Sequence, residues 1–189
     1  KPFARYWMHN GMLQLQGEKM SKSTGNLITI EAFLAEHEAD VLRMIVLSSH
    51  YRKPLAFGEQ VIADNERALA RLRSALRPAR GESDAGPAVD ALRTQIEATR
   101  AGFEAAMDDD FNSAGALGQL FNLVKAINAA RDAGVSNERL REGQDSLRFL
   151  AGILGLRLAE NSREADAGPF IDLLLALRQS LRQQKQWAL

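Results

Sequence analysis

The 189-residue sequence predicts a mainly α protein, a short α/β piece followed by an antiparallel helical bundle. Three observations predict it. Near the start, Leu13 and Leu15 alternate with Gln14 and Gln16, the period of a short strand or hairpin arm. From Glu59 onward that signal disappears and apolar residues recur at helical spacing. Between the two helical sets, residues 78–87 read PARGESDAGP, rich in Pro, Gly and small polar residues, which marks a linker. The expected organisation is therefore residues 1–77, a linker at 78–87, and a bundle over 88–189.

Each element has its own signal. Thr29 is placed to cap a short helix that begins Ile30–Glu31. Asp40 is expected to cap a second helix over residues 41–47, which is apolar nearly all round and so expected to be buried. Ile62, Leu69, Leu72 and Leu76 form one face of a third helix that stops at Pro78. A fourth begins near Ala88, with Leu92, Ile96, Thr99, Phe103 and Ala106 as its stripe. Asp108–Asp109–Asp110 interrupts it. Asn112 or Ser113 caps the next helix, whose inner face is Leu117, Leu120, Phe121, Val124 and Ile127, and Gly134 ends it. Leu140, Leu147, Leu150 and Leu154 mark a further helix up to Gly155, and Pro169 opens a last one with Leu173, Leu174, Leu177 and Leu181.

Composition narrows the function classes. Apolar residues make up 46%, enough for a core, and Lys plus Arg equals Asp plus Glu at 24 each. With no global basic field, any nucleic-acid contact must come from a local patch. The absence of cysteine excludes disulfides and thiolate metal sites within these residues and suits a reducing, cytoplasmic setting. No apolar run reaches membrane-spanning length, so no membrane partner is expected. The opening Lys1–Pro2–Phe3 and the helix-like close Lys185–Gln186–Trp187 suggest a fragment of a longer chain.

The chemistry concentrates in residues 18–26, EKMSKSTGN. Gly25 and small hydroxyl residues let such a loop wrap closely around a ligand. Lys19 and Lys22 supply two compact cations on long stems, suited to a polyphosphate, although a solvated surface loop has the same composition. In order, Lys19–Met20–Ser21–Lys22–Ser23 matches the KMSKS signature of class I aminoacyl-tRNA synthetases letter for letter. Its surroundings resemble the cysteinyl-tRNA synthetase family: Tyr6–Trp7–Met8–His9–Asn10–Gly11 before it, Gly25–Asn26 after it, then Val41–Leu42–Arg43, residues 47–52 and residues 106–112. These landmarks run in family order over nearly the whole chain.

The resemblance implies ATP-driven activation of cysteine to cysteinyl-adenylate, then transfer to cysteine tRNA. It implies that Lys22 is the main ATP contact, that Lys19 assists, and that Ser21 and Ser23 shape the loop with Thr24. It implies a zinc ion held by two cysteines, a histidine and a glutamate, all expected upstream of Lys1, together with a HIGH-type motif that this sequence lacks. The chain alone is therefore expected not to aminoacylate tRNA, and a monomer is favoured. The C-terminal bundle resembles the DALR-type tRNA-binding domain. A cysteine–amino-sugar ligase of mycothiol synthesis shares the loop, and a non-catalytic helical RNA-binding module is the rival from another class.

Other features have two readings each. Arg67, Arg71, Arg73 and Arg77, with Arg80, form a basic run that suits tRNA phosphates, or equally a solvated helix face beside Asp64 and Glu66. Asp108–Asp110 suggests a hard-cation site less well than acids stabilising the start of the helix at Asn112, so no metal is assigned. His9, His37 and His50 have no ligand spacing. Residues 50–52, at the join of the two parts, are expected to make structural hydrogen bonds. Phe111 and Trp7 are expected to be packing residues.

Overall fold

A computed structural model describes residues 3–15, 18–19 and 28–158. The sheet is small. Leu13–Leu15 (β1) is its middle strand, with Glu18–Lys19 (β2) antiparallel on one side. Leu55–Phe57 (β3) lies parallel on the other side, Leu13 opposite Leu55 and Leu15 opposite Phe57. A parallel pair needs a crossover, and two helices supply it. They are Ile30–Glu36 (α1) and Ala39–Leu47 (α2). All three residues of β3, Leu55, Ala56 and Phe57, are apolar and show no alternation, which is why β3 had no counterpart in the sequence reading.

Helix α1 starts where the sequence predicts. Thr29 Oγ1 accepts the Ala32 N–H at 3.1 Å, one of the donors a helix start leaves over. The cap expected at Asp40 is not one. Glu38 is the N-cap residue of α2 and Asp40 lies inside the helix, buried. Its carboxylate instead accepts from the Arg43 guanidinium at 2.7 Å and from the backbone N–H groups of Arg157 and Leu158 at 2.9 and 3.2 Å. Nor is α2 buried all round. Val41, Met44 and Ile45 are buried, while Val46 is exposed.

Glu59–Ser74 (α3) buries Leu69 and Leu72. The following segment, expected as a linker, is packed: Gly81 and Ser83 bridge Ser136 and Val135 in strand fashion. A Cβ on Gly81 would sit 2.2 Å from the Gly134 carbonyl oxygen, so glycine permits this approach. Pro87–Asp108 (α4) begins with proline in its first turn, where a missing N–H costs nothing, and buries the predicted Leu92, Ile96, Thr99 and Phe103.

Ser113–Asp132 (α5) is capped by Asn112, whose side chain accepts the Gly115 N–H at 2.9 Å. It packs against α2, α3, α4 and Asn137–Ile153 (α6), so its buried face is wider than one stripe. Leu123 is fully buried as well as Leu120 and Ile127, whereas Phe121 is only half-buried. Helices α5 and α6 end alike. Gly134 and Gly155 have φ of +80° and +78°. The next residue's N–H reaches back five positions, Val135 to Ala130 and Leu156 to Ala151. Both are Schellman stops, which need a left-handed residue.

The buried residues of sheet and helices form one continuous apolar cluster. Polar clasps cross the same seam. The carbonyls of Ala75 and Arg77, left over at the end of α3, accept from Arg131 at 2.7 and 2.9 Å and from the Gln144 amide at 3.0 and 2.9 Å. All of this lies within one compact unit, residues 1–158. The helix expected from Pro169 and the polar stretch 159–168 lie outside the described residues. Among the described residues no helix is long and apolar enough to cross a membrane.

Removing Asp40 strands two backbone donors and a guanidinium around a buried site. Asp40→Ala is expected to destabilise the chain by about 3 kcal/mol, against less than about 0.5 kcal/mol for the exposed Val46→Ala. Urea unfolding of the two variants beside the parent checks this.

Candidate functional site

The lysine loop leaves the sheet from Lys19 at the end of β2, paired across the ladder with Gln14 of β1. It rejoins the described chain just before the Thr29 cap of α1. Residues 20–27 lie outside the described residues, and Ser21, Lys22 and Ser23 with them. The structure therefore describes the frame that carries the loop.

That frame is closely tied. The Gly11 N–H donates to the Tyr51 carbonyl at 2.7 Å, and the Leu55 N–H to the Met12 carbonyl at 3.0 Å. Gly11 has to be glycine-sized, since a Cβ there would lie 2.0 Å from the Lys53 carbonyl oxygen. Beside β1 an open, mainly apolar cavity of about 380 Å³ is lined by Leu13, Ile30, Leu42, Val46, His50 and Phe57 among others. Trp7, expected in the core, is 68% exposed, with its ring 6.1 Å from that of the still more exposed Phe3.

The segment after α2 is the best-organised polar cluster. Asp110, in the turn between α4 and α5, accepts from Tyr51 Oη at 2.8 Å and from Arg52 through Nε at 2.6 Å and a terminal nitrogen at 3.2 Å. His50 Nε2 lies 3.7 Å from the same carboxylate, and its ring stacks on Tyr51 at 4.9 Å. The Arg52 and Tyr51 donors hold the Asp110 carboxyl down from an ordinary 3.8 to about 2. Its bond to Asp110 in turn raises the Tyr51 hydroxyl and, chiefly through the same partner, the Arg52 guanidinium. The structural hydrogen bonding expected of residues 50–52 is thus present. Sequence reading missed the partner, because Arg52 and Asp110 stand 58 residues apart.

Asp110 and Phe111 also hold left-handed backbone, φ +52° and +55°. Phe111 is 55% exposed, so it is not the packing anchor its size suggested. The reversed backbone at 110–111 turns its ring outward as the chain swings into the Asn112 cap.

The basic run of α3 is divided by its contacts. Arg67 is exposed and pairs with Asp64. Arg71, one turn on, lies over the Phe121 ring at 5.0 Å. Arg73 points elsewhere, half-buried and doubly bonded to Glu38 at 3.1 and 2.5 Å. Arg77 is exposed beyond the helix end. The four do not form one phosphate-facing row. The zinc ion that the family resemblance implies does not fit here. The sequence has no cysteine, His37 and His50 each face a single carboxylate, and no cluster of three ligand-type side chains occurs among the described residues.

Because the Asp110 carboxyl is depressed in the folded state, its network stabilises fully above about pH 4 and is lost as pH falls through about 2. Since the pair opens to water, the stability gap between the parent and Asp110→Asn is expected to be small, flat from pH 7 to about 4, and to close toward pH 2. Urea unfolding across that range measures it; a gap unchanged at the acid end contradicts the assignment.

Comparison with known proteins agrees with this layout. Residues 1–67 match the class I (C) tRNA synthetase catalytic-domain family, and residues 102–159 match the DALR domain. A cysteine–tRNA ligase of Dehalococcoides mccartyi strain 195 is 43% identical over 100% of this chain and 40% of its own length. Those of Symbiobacterium thermophilum and Desulfitobacterium hafniense are 38% and 40% identical, over 100% and 98% of this chain and 41% and 42% of their own. The chain thus spans about two fifths of the length of the curated relatives it matches. A catalytic-domain match around the lysine loop, a DALR match on α4–α6 and full-length similarity together place the chain in the cysteinyl-tRNA synthetase family.

Proposed function

We infer that this chain works as part of an enzyme that ligates cysteine to its tRNA with ATP, through cysteinyl-adenylate. The observation that carries the reading is the similarity of the chain over its whole length to relatives named as cysteine–tRNA ligases. In this reading residues 1–77 end the catalytic domain and supply its ATP loop. Residues 88–189 belong to the tRNA-binding bundle, reached through 78–87. The protein acts in the cytoplasm as a monomer, and the zinc that selects the cysteine thiol belongs to residues beyond this chain.

The chemistry asks for mobile positive charge. When the cysteine carboxylate attacks the α-phosphorus, negative charge builds on the departing pyrophosphate. Lys22, with Lys19 assisting, meets that charge as it develops, and Ser21 and Ser23 shape the loop that delivers it. A cation that binds the transition state better than bound ATP raises the rate itself. The tied frame of β1, β2 and the Thr29 cap supports this role, since both ends of so polar a loop need fixed anchors.

Contact with the tRNA falls to the helices. Arg67, Arg71 and Arg77 are exposed cations on and after α3. The pairing of Arg73 with Glu38 gives that residue a structural use that competes with phosphate.

In the full-length protein, Lys22→Ala is expected to lower cysteine-dependent ATP–pyrophosphate exchange by about 100-fold. A parent protein without such exchange overturns the whole reading, and exchange untouched by the substitution removes Lys22 from it. The 189-residue chain alone is expected to give no cysteinyl-tRNA. A salt titration of tRNA binding separates the arginines. Replacing Arg67, Arg71 and Arg77 together by Ala should flatten the slope of log K against log salt by about two, whereas Arg73→Ala should leave it unchanged and lower stability.

A further inference from the structure

One exposed side chain in the α4–α5 turn, Asp110, reaches from the helical bundle to Tyr51 and Arg52, beside the segment that leads into β1. We propose that Asp110 is a positioning residue for adenylate formation: through Arg52 and Tyr51 it holds β1, and with it the backbone of Lys19 on β2, in register with the bundle. The proposal deepens the function inferred above and rests on it.

The route is short and continuous. Asp110 grips Tyr51 and Arg52 through three hydrogen bonds of 2.6 to 3.2 Å. The Tyr51 carbonyl takes the Gly11 N–H, and the Lys53 carbonyl presses on Gly11 so closely that no Cβ fits between them. Leu55 then ties back to Met12, and β1 follows directly, with Lys19 opposite Gln14. Every step is a backbone contact or a charged bond, so a shift of Asp110 passes to the strand pair with little slack.

Stability does not account for the arrangement. Arg52 and Asp110 are 59% and 44% exposed, and ion pairs that open to water contribute little to folding. The bundle is already secured to the mixed piece by the continuous core, by Asp40, and by Arg131 and Gln144. Yet two consecutive non-glycine residues hold left-handed backbone to present this carboxylate. Among the described residues, its neighbours Asp108 and Asp109 make no side-chain hydrogen bond or ion pair. The geometry spends strain on one carboxylate whose contacts lead to the strand pair.

Two measurements on the full-length protein test this. In Asp110→Asn, hydrogen exchange at the Gly11 and Leu55 amides is expected to speed up about tenfold, while Leu123 and Ile127 in α5 stay protected. In cysteine-dependent pyrophosphate exchange the same variant should lose about tenfold in kcat with KM for ATP within about twofold, because misplacing a transition-state contact lowers rate more than binding. Asp110→Glu should restore part of both. Unchanged protection at Gly11 and Leu55, or equal loss at Leu123 and Ile127, overturns the proposal. So does a parent-like kcat in a variant whose Gly11 protection has fallen. Hydrogen exchange needs no activity, so a parent lacking pyrophosphate exchange defeats the proposed function while the mechanical coupling is still decided by the amides.

Discussion

A helix end buried in protein must find partners for the carbonyls its last turn leaves open. In this chain the end of α3 finds them in the bundle: Ala75 and Arg77 are met by Arg131 of α5 and Gln144 of α6. That requirement sets where the bundle sits. Once α5 and α6 are held against α3, the apolar faces of all the helices close into one cluster, and the return of the chain past α6 comes under Asp40. Asp40 meets the opposite need, supplying an acceptor for two N–H groups at a left-handed Leu158. The core gives the attraction, since each buried leucine contributes about 1.5–3 kcal/mol. The clasps give the register, because an unmet buried polar group costs as much as a leucine gains.

This docking explains the division of labour among the charged residues. Arginines that face the seam are used by it: Arg73 closes on Glu38, Arg131 caps α3, and Arg43 completes the shell of Asp40. Arg67, Arg71 and Arg77 are exposed, Arg67 beside Asp64 and Arg71 over the Phe121 ring. Net charge is zero, so the chain as a whole offers a polyanion no attractive field. The loop itself leaves from a sheet of only three short strands. So small a sheet is marginal alone, and its position comes from Gly11, Tyr51 and the helices around it.

Much of the architecture is local information, and so it could be read along the chain. Helical stripes repeat every three or four residues, and Leu92, Ile96, Thr99 and Phe103 are buried as their spacing foretold. The Thr29 and Asn112 caps and the Gly134 and Gly155 stops depend on residues within one turn of each other. The lysine loop was legible for a different reason: five residues in a fixed order are a signature in themselves.

What only the tertiary structure decided depends on partners far away in sequence. Asp40 has the chemistry of a cap, but the donors it serves stand 117 and 118 residues later. Phe111 and Trp7 have the size of core residues, but the backbone turns one outward and the other lies beside the exposed Phe3 ring, away from the core. Leu55–Phe57 becomes a strand only because β1 offers it an edge. The four arginines look alike in a row, yet helix phase sends Arg73 into a half-buried pair with Glu38 while the pair of Arg67 with Asp64 stays exposed. By itself the sequence determined the helices, their ends and the lysine signature, because those rest on neighbours within a few residues. The tertiary structure decided which polar side chains hold the fold together and which stay exposed, because that depends on the one neighbour each meets across the seam.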